Sequence, residues 1–163
     1  QAWADDVVVA VGGSTTLNIA QATSGSTIAV TGSTKATVVP DANGFGTVAY
    51  TPTKAGIQKF TASYSVKVGK KTTKYTTTTQ LYVPSVYGPM LKIKTGKTGK
   101  FSIQFMPPGA AISIVLTDGR TLSGVADTAG KAAFRPTFTT KGAVNYTVSV
   151  AGVQVATGGL TVI

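Results

Sequence analysis

Residues 41–64 lie over residues 127–150 without a gap, at a constant offset of 86. Asp41, Gly44, Thr51, Thr53, Gly56, Thr61 and Ser63 meet Asp127, Gly130, Thr137, Thr139, Gly142, Thr147 and Ser149, and Phe60 meets Tyr146. The same offset sets Val7 on Ile93, Gly13 on Gly99, Leu17 on Ile103 and Ile19 on Phe105. The identities fall on turn glycines, a turn Asp and strand positions, so they mark one structural plan written twice. Two domains are expected, at 1–84 and 85–163.

Each copy is written in period two. From Gln58 to Val68 the even positions carry Phe60, Ala62, Tyr64, Val66 and Val68, while the odd ones carry Lys59, Thr61, Ser63, Ser65 and Lys67. Val144, Tyr146, Val148 and Val150 alternate in the same way with Asn145, Thr147 and Ser149. This is the pattern of an antiparallel strand with one face buried. Val7/Val9/Val11, Leu17/Ile19, Ile28/Val30, Phe101/Ile103/Phe105 and Ile112/Ile114/Leu116 repeat it, broken by Gly12-Gly13, Asn43-Gly44, Gly69, Asp118-Gly119 and Ala151-Gly152. Thr and Val, stiff at χ1, favour the pleat over the helix. The fold class expected is all-β, with two antiparallel β-sandwiches in tandem. The short Val83–Pro89 link, with its two prolines, predicts limited swing between them.

The stretch Val39–Tyr64 carries Asp41-Ala-Asn-Gly44, the strand Thr47–Tyr50, the corner Thr51-Pro52-Thr53-Lys54-Ala55-Gly56 and then Phe60-Thr-Ala-Ser63. It resembles the bacterial immunoglobulin-like domains found in tandem on surface and secreted proteins. The second copy keeps Asp127, Gly130, Gly142 and Tyr146-Thr147, with its proline, Pro136, two places earlier. The resemblance implies immunoglobulin-like sandwiches and a role as spacer, adhesin or filament subunit. It does not choose among these.

The chain has no Cys, no His and no Glu, and its only carboxylates are Asp5, Asp6, Asp41, Asp118 and Asp127. That excludes Cys and His nucleophile chemistry, Ser-His-Asp triads and zinc sites built on thiolate or imidazole. No catalytic constellation, cofactor site or metal site can be assembled, and a non-enzymatic protein is expected. Asp41-Ala42-Asn43-Gly44 has the look of a cation loop. Calcium wants six to eight oxygens and an EF-type loop a closing Glu, so an Asx turn is the better reading. No run approaches the 18 apolar residues of a spanning helix. Gln1 in place of Met is read as the mature end of a processed precursor, which makes the expected location extracellular.

Two surfaces are candidates for partners. The first is an assembly interface of Trp3, Val7, Val9, Val11 and Tyr75: an extended Val-rich N-terminal segment suits completion of a neighbour's sheet. It predicts self-association into a polymer, a filament or a surface layer. The alternative is that Val7–Val11 is simply the first strand of its own domain. The second candidate is basic. Lys67, Lys70, Lys71 and Lys74 crowd the hairpin Ser65–Val83, and Lys92, Lys94, Lys97 and Lys100 follow early in the second copy, in a chain of net charge +10. They are candidates for an acidic polysaccharide or cell-wall polymer such as teichoic acid. Edge-protecting lysines on a solvated hairpin are the plain alternative. Lysine lacks the guanidinium fork and no aromatic residues interleave, so nucleic acid is not an expected partner.

Overall fold

The computed structural model describes residues 1–20, 22–23 and 26–163, and every regular element among them is a strand. Backbone contacts group the chain into two compact units, Gln1–Thr53 with Ile57–Leu81, and Lys54–Gly56 with Tyr82–Ile163.

Unit 1 carries β1 (Ala2–Ala4), β2 (Thr15–Ile19), β3 (Ile28–Gly32), β4 (Ala36–Val38), β5 (Gly46–Tyr50) and all but the end residues of β6 (Gly56–Val68) and β7 (Lys71–Val83). They form a three-stranded sheet, β1-β2-β5, and a four-stranded sheet, β4-β3-β6-β7. Leu17 and Ile19 from one sheet and Ile28, Val30, Phe60 and Leu81 from the other are buried, and the Tyr50 ring meets Phe60 edge-on at 4.9 Å. Unit 2 carries β8 (Ser85–Tyr87), β9 (Lys92–Ile93), β10 (Lys97–Thr98), β11 (Phe101–Gln104), β12 (Ala111–Leu116), β13 (Thr121–Val125), β14 (Ala132–Phe134), β15 (Thr137–Phe138), β16 (Gly142–Val150) and β17 (Val153–Val162). Its sheets are β14-β11-β8 and β13-β12-β16-β17-β9, with β10 and β15 as a short extra pair. Phe101 meets Tyr146 edge-on at 4.8 Å. Strand for strand, β8-β11-β14 repeats β1-β2-β5 and β13-β12-β16-β17 repeats β4-β3-β6-β7. Both units are immunoglobulin-like sandwiches.

The Asp-x-x-Gly turn is reproduced bond for bond. Asp41 Oδ1 accepts from the amides of Asn43 (2.8 Å) and Phe45 (3.0 Å), and Asp127 Oδ1 from those of Ala129 (2.9 Å) and Lys131 (2.9 Å). The carboxylate is therefore spent on the backbone, as an Asx turn requires. Asp41→Ala strips an acceptor from two amides and is expected to lower stability by about 1–2 kcal/mol in urea denaturation. Asp41→Asn, which keeps Oδ1, should recover most of it.

The constant offset fails in two places. Ala29 pairs with Ser63 and Ser113 with Ser149, so β3 and β12 are related by 84 residues, not 86. The slip occurs at Phe105, which takes φ 62° and turns outward while Met106 fills the core position. Strict alternation through Phe105 is thus corrected: β11 ends at Gln104. Likewise Ala4 pairs with Leu17 and Val86 with Ile103, an offset of 82 for the first strands.

The expected strand over Val7/Val9/Val11 does not form either. The chain bends at Asp5 and Val7, only Val8 makes an isolated bridge, and Val8 and Val9 are buried in succession. In unit 2 the corresponding stretch moves from one sheet to the other, since β8 pairs with β11 while β9 runs parallel to β17. A segment that changes sheets cannot keep one face inward, and its alternation is lost.

Candidate functional site

The two units make the same sandwich, so their differences isolate what the fold does not need. The largest is the β6–β7 hairpin, with 13 residues in each strand against 9 and 10 in β16 and β17. Gly69 (φ 61°) is followed by Lys70 outside the positive-φ region, the arrangement of a II′ turn with Gly first. At the matching place in unit 2 both Ala151 (φ 50°) and Gly152 (φ 78°) are left-handed, the I′ arrangement.

Burial along β6 stops where the second sheet stops. Gln58, Phe60 and Ala62 are buried, Tyr64 and Val66 are half-buried, and Val68 is 75% exposed. These side chains share one face, because alternate residues of a strand do. Opposite, Tyr75 stacks on Tyr64 with ring centroids 5.3 Å apart. A cleft of about 340 Å³ opens here between the sheets, lined by Gln1, Ile19 and Ala20 on one side and Tyr64, Tyr75 and Thr77 on the other. The apolar face of the hairpin therefore continues past its own core. On the same hairpin Lys67, Lys70, Lys71 and Lys74 are all exposed, Lys67 and Lys74 on the reverse face. Among the described residues none of them makes an ion pair.

The second difference lies on the outer face of β1-β2-β5. Trp3 pairs with Asn18 across β1 and β2, stays 42% exposed and approaches Phe45, 38% exposed, at 6.3 Å. Asn18 donates from Nδ2 to Asp5 Oδ1 at 2.6 Å, and Asp6 stands exposed beside it. In unit 2 the pairing Ser85–Gln104 stands where Trp3–Asn18 does, and Lys131 replaces Phe45. The aromatic pair is thus an addition to the plan.

Of the candidate assembly residues, Trp3, Val7, Val11 and Tyr75 present apolar surface, while Val9 sits in the core of unit 1 at 4% exposure. Lys67, Lys70, Lys71 and Lys74 share the hairpin; Lys92, Lys94, Lys97 and Lys100 are exposed on unit 2 and form a separate set. Sequence reading missed Phe45 and Tyr64. The signal for Phe45 was there, as an aromatic residue facing Lys131 in the repeat.

The five carboxylates are unequally available. Asp41 and Asp127 hold turns, and Asp118 pairs with Arg120 at 2.6 Å. The Arg120 guanidinium holds the Asp118 carboxyl below its usual range and also caps the Thr137 carbonyl and the Phe138 ring. Partial burial pushes the half-buried Tyr50 phenol up. Among the described residues only Asp5 and Asp6 remain as surface acids outside the Asx turns and the ion pair, next to each other in the chain just after Trp3. Among the described residues no helix is long and apolar enough to cross a membrane.

No family model matches this sequence, and no curated protein does. Solved structures similar to it include the D0-D1 domain of intimin, 14% identical, covering 98% of this chain and 97% of that one with a TM-score of 0.38. The C-terminal 282-residue fragment of intimin, in complex with the intimin-binding domain of the translocated intimin receptor, is 14% identical, covers 98% and 62%, and has a TM-score of 0.46. Invasin, a bacterial integrin-binding protein, is 19% identical and covers 99% and 38%, with a TM-score of 0.37. The likeness is one of fold, and the expected resemblance to bacterial immunoglobulin-like tandem domains has solved counterparts at that level.

Proposed function

We propose that this chain is a non-enzymatic structural subunit of the cell exterior that associates with copies of itself. The observation that carries the reading is the β6–β7 hairpin, which runs past its core with Val68 and Tyr75 in solvent while unit 2 closes the same sandwich without such an extension. Apolar side chains held out on a two-stranded ribbon bury little in the monomer; covered by a partner they bury area at about 25 cal/mol per Å². Trp3 and Phe45 supply a second exposed apolar patch. Two patches on one chain suit an assembly that continues beyond a pair.

Sedimentation velocity across a wide concentration range tests this. The expected result is a concentration-dependent series of oligomers, reduced by Trp3→Ser. A single monomer boundary at all concentrations would refute the reading. The point substitution leaves Val8 and Val9 in the core, which removal of residues 1–11 would not. The hairpin lysines, without ion pairs among the described residues, favour a second reading as a binder of an acidic polysaccharide. That reading predicts retention on a polyanion column, lost steeply with salt.

A further inference from the structure

The proposed self-association leaves open which surfaces meet, and the charge distribution of unit 1 answers that. The inference below rests on that reading. Among the described residues Asp5 and Asp6 are the surface acids outside the Asx turns and the ion pair, and they follow Trp3 on its side away from Phe45, with Asp5 held by Asn18, the cross-strand partner of Trp3. The hairpin is the converse: an open apolar face of Val66, Val68 and Tyr75 that carries Lys71 in register with it, with Lys70 at the turn and Lys67 and Lys74 on the reverse of the same ribbon. Each surface is aromatic or aliphatic at its centre and singly charged at its edge, with opposite signs. Both are absent from unit 2, where Ser85, Lys131 and a shorter hairpin occupy the same places.

We infer that the projecting face of β6–β7 in one copy seats the Trp3–Phe45 patch of the next copy. Self-pairing of either surface brings like charges together, Lys70 and Lys71 with their own copies in one case and the aspartates in the other. A two-fold dimer through either one is thereby disfavoured. The contact is heterologous, running head to tail from one copy to the next, and such contacts make rings or open filaments according to whether the rotation closes. A polyanion would satisfy the lysines but leave Val68 and Tyr75 in water. A second copy covers both. The lysines also keep the free edge of β7, the last strand of its sheet, from unspecific strand pairing.

The test is a charge exchange between separate chains. One variant carries Lys67→Glu, Lys70→Glu, Lys71→Glu and Lys74→Glu, so both of its surfaces are acidic. The other carries Asp5→Asn and Asp6→Lys, so both are basic; Asn at 5 retains an oxygen for Asn18. All these positions are exposed, and unchanged thermal melts confirm folding. In sedimentation velocity at low salt, each variant alone is expected to lose at least about tenfold in association. An equimolar mixture should restore assembly as an alternating chain, since each acidic surface then finds a basic one. Variants that each assemble as well as the unmodified chain, or a mixture no better than its parts, would overturn the inference while leaving self-association standing. An unmodified chain that stays monomeric throughout would remove both. If the glutamate variant still assembles but no longer binds polygalacturonate, the hairpin serves a polyanion and not a second copy.

Discussion

Gly130→Ala is expected to destabilise unit 2 by about 3 kcal/mol or more, and Gly44→Ala to do the same to unit 1. Two penalties combine at each site. Gly130 has φ 73° and Gly44 φ 75°, in the left-handed region that costs a residue with a Cβ about 1–3 kcal/mol. In addition the new Cβ of Gly130 would fall on the Met106 carbonyl oxygen, and that of Gly44 on the Ala22 carbonyl oxygen. These are backbone atoms, and they cannot swing away. The same approach brings the Met106 amide to the Gly130 carbonyl at 3.1 Å and the Ala22 amide to the Gly44 carbonyl at 3.1 Å. The turn is therefore stitched to the strand end it crosses, and pushing them apart breaks that bond too. Gly119→Ala is the control, with φ 94° and nothing within 4 Å of its Cβ. It should cost only the backbone term, about 1 kcal/mol. Urea denaturation of the three variants separates strain from collision; equal losses in all three would show that the carbonyl contact contributes nothing.

Replacing residues 65–74 by a two-residue type I′ turn, Asn-Gly, should abolish self-association while leaving the sandwich folded. The removed residues are exposed apart from the half-buried Val66, whereas Phe60, Ala62, Leu81 and Val83, which hold the sheet to its partner, are retained. Stability is expected to change by less than about 1 kcal/mol, the range of substitutions away from the core. Association should fall below detection in the same sedimentation experiment, because Val66, Val68 and all four hairpin lysines go together. A shortened chain that unfolds would show that residues 65–74 support the core. A shortened chain that folds and still polymerises would move the interface elsewhere.

The strands and the paired Asp-x-x-Gly turns were legible in the sequence because each is fixed locally. Alternation at period two needs only neighbours along one strand, and the Asx turn is closed by an Asp and amides two and four residues on. The repeat was legible for the same reason, since it copies those local signals at a nearly fixed spacing. What tertiary structure alone decided is which sheet a segment joins. Val7/Val9/Val11 reads as a strand, yet the chain bends there and buries Val8 and Val9 in succession. Phe105 reads as the next inward residue after Ile103, yet a left-handed turn sends it outward and Met106 inward. Trp3 meets Phe45, 42 residues away, only because β1 pairs with β2 and β2 with β5. Alternation tells which side chains share a face, but the partner that covers that face is chosen by pairing between distant strands, and local spacing does not encode it.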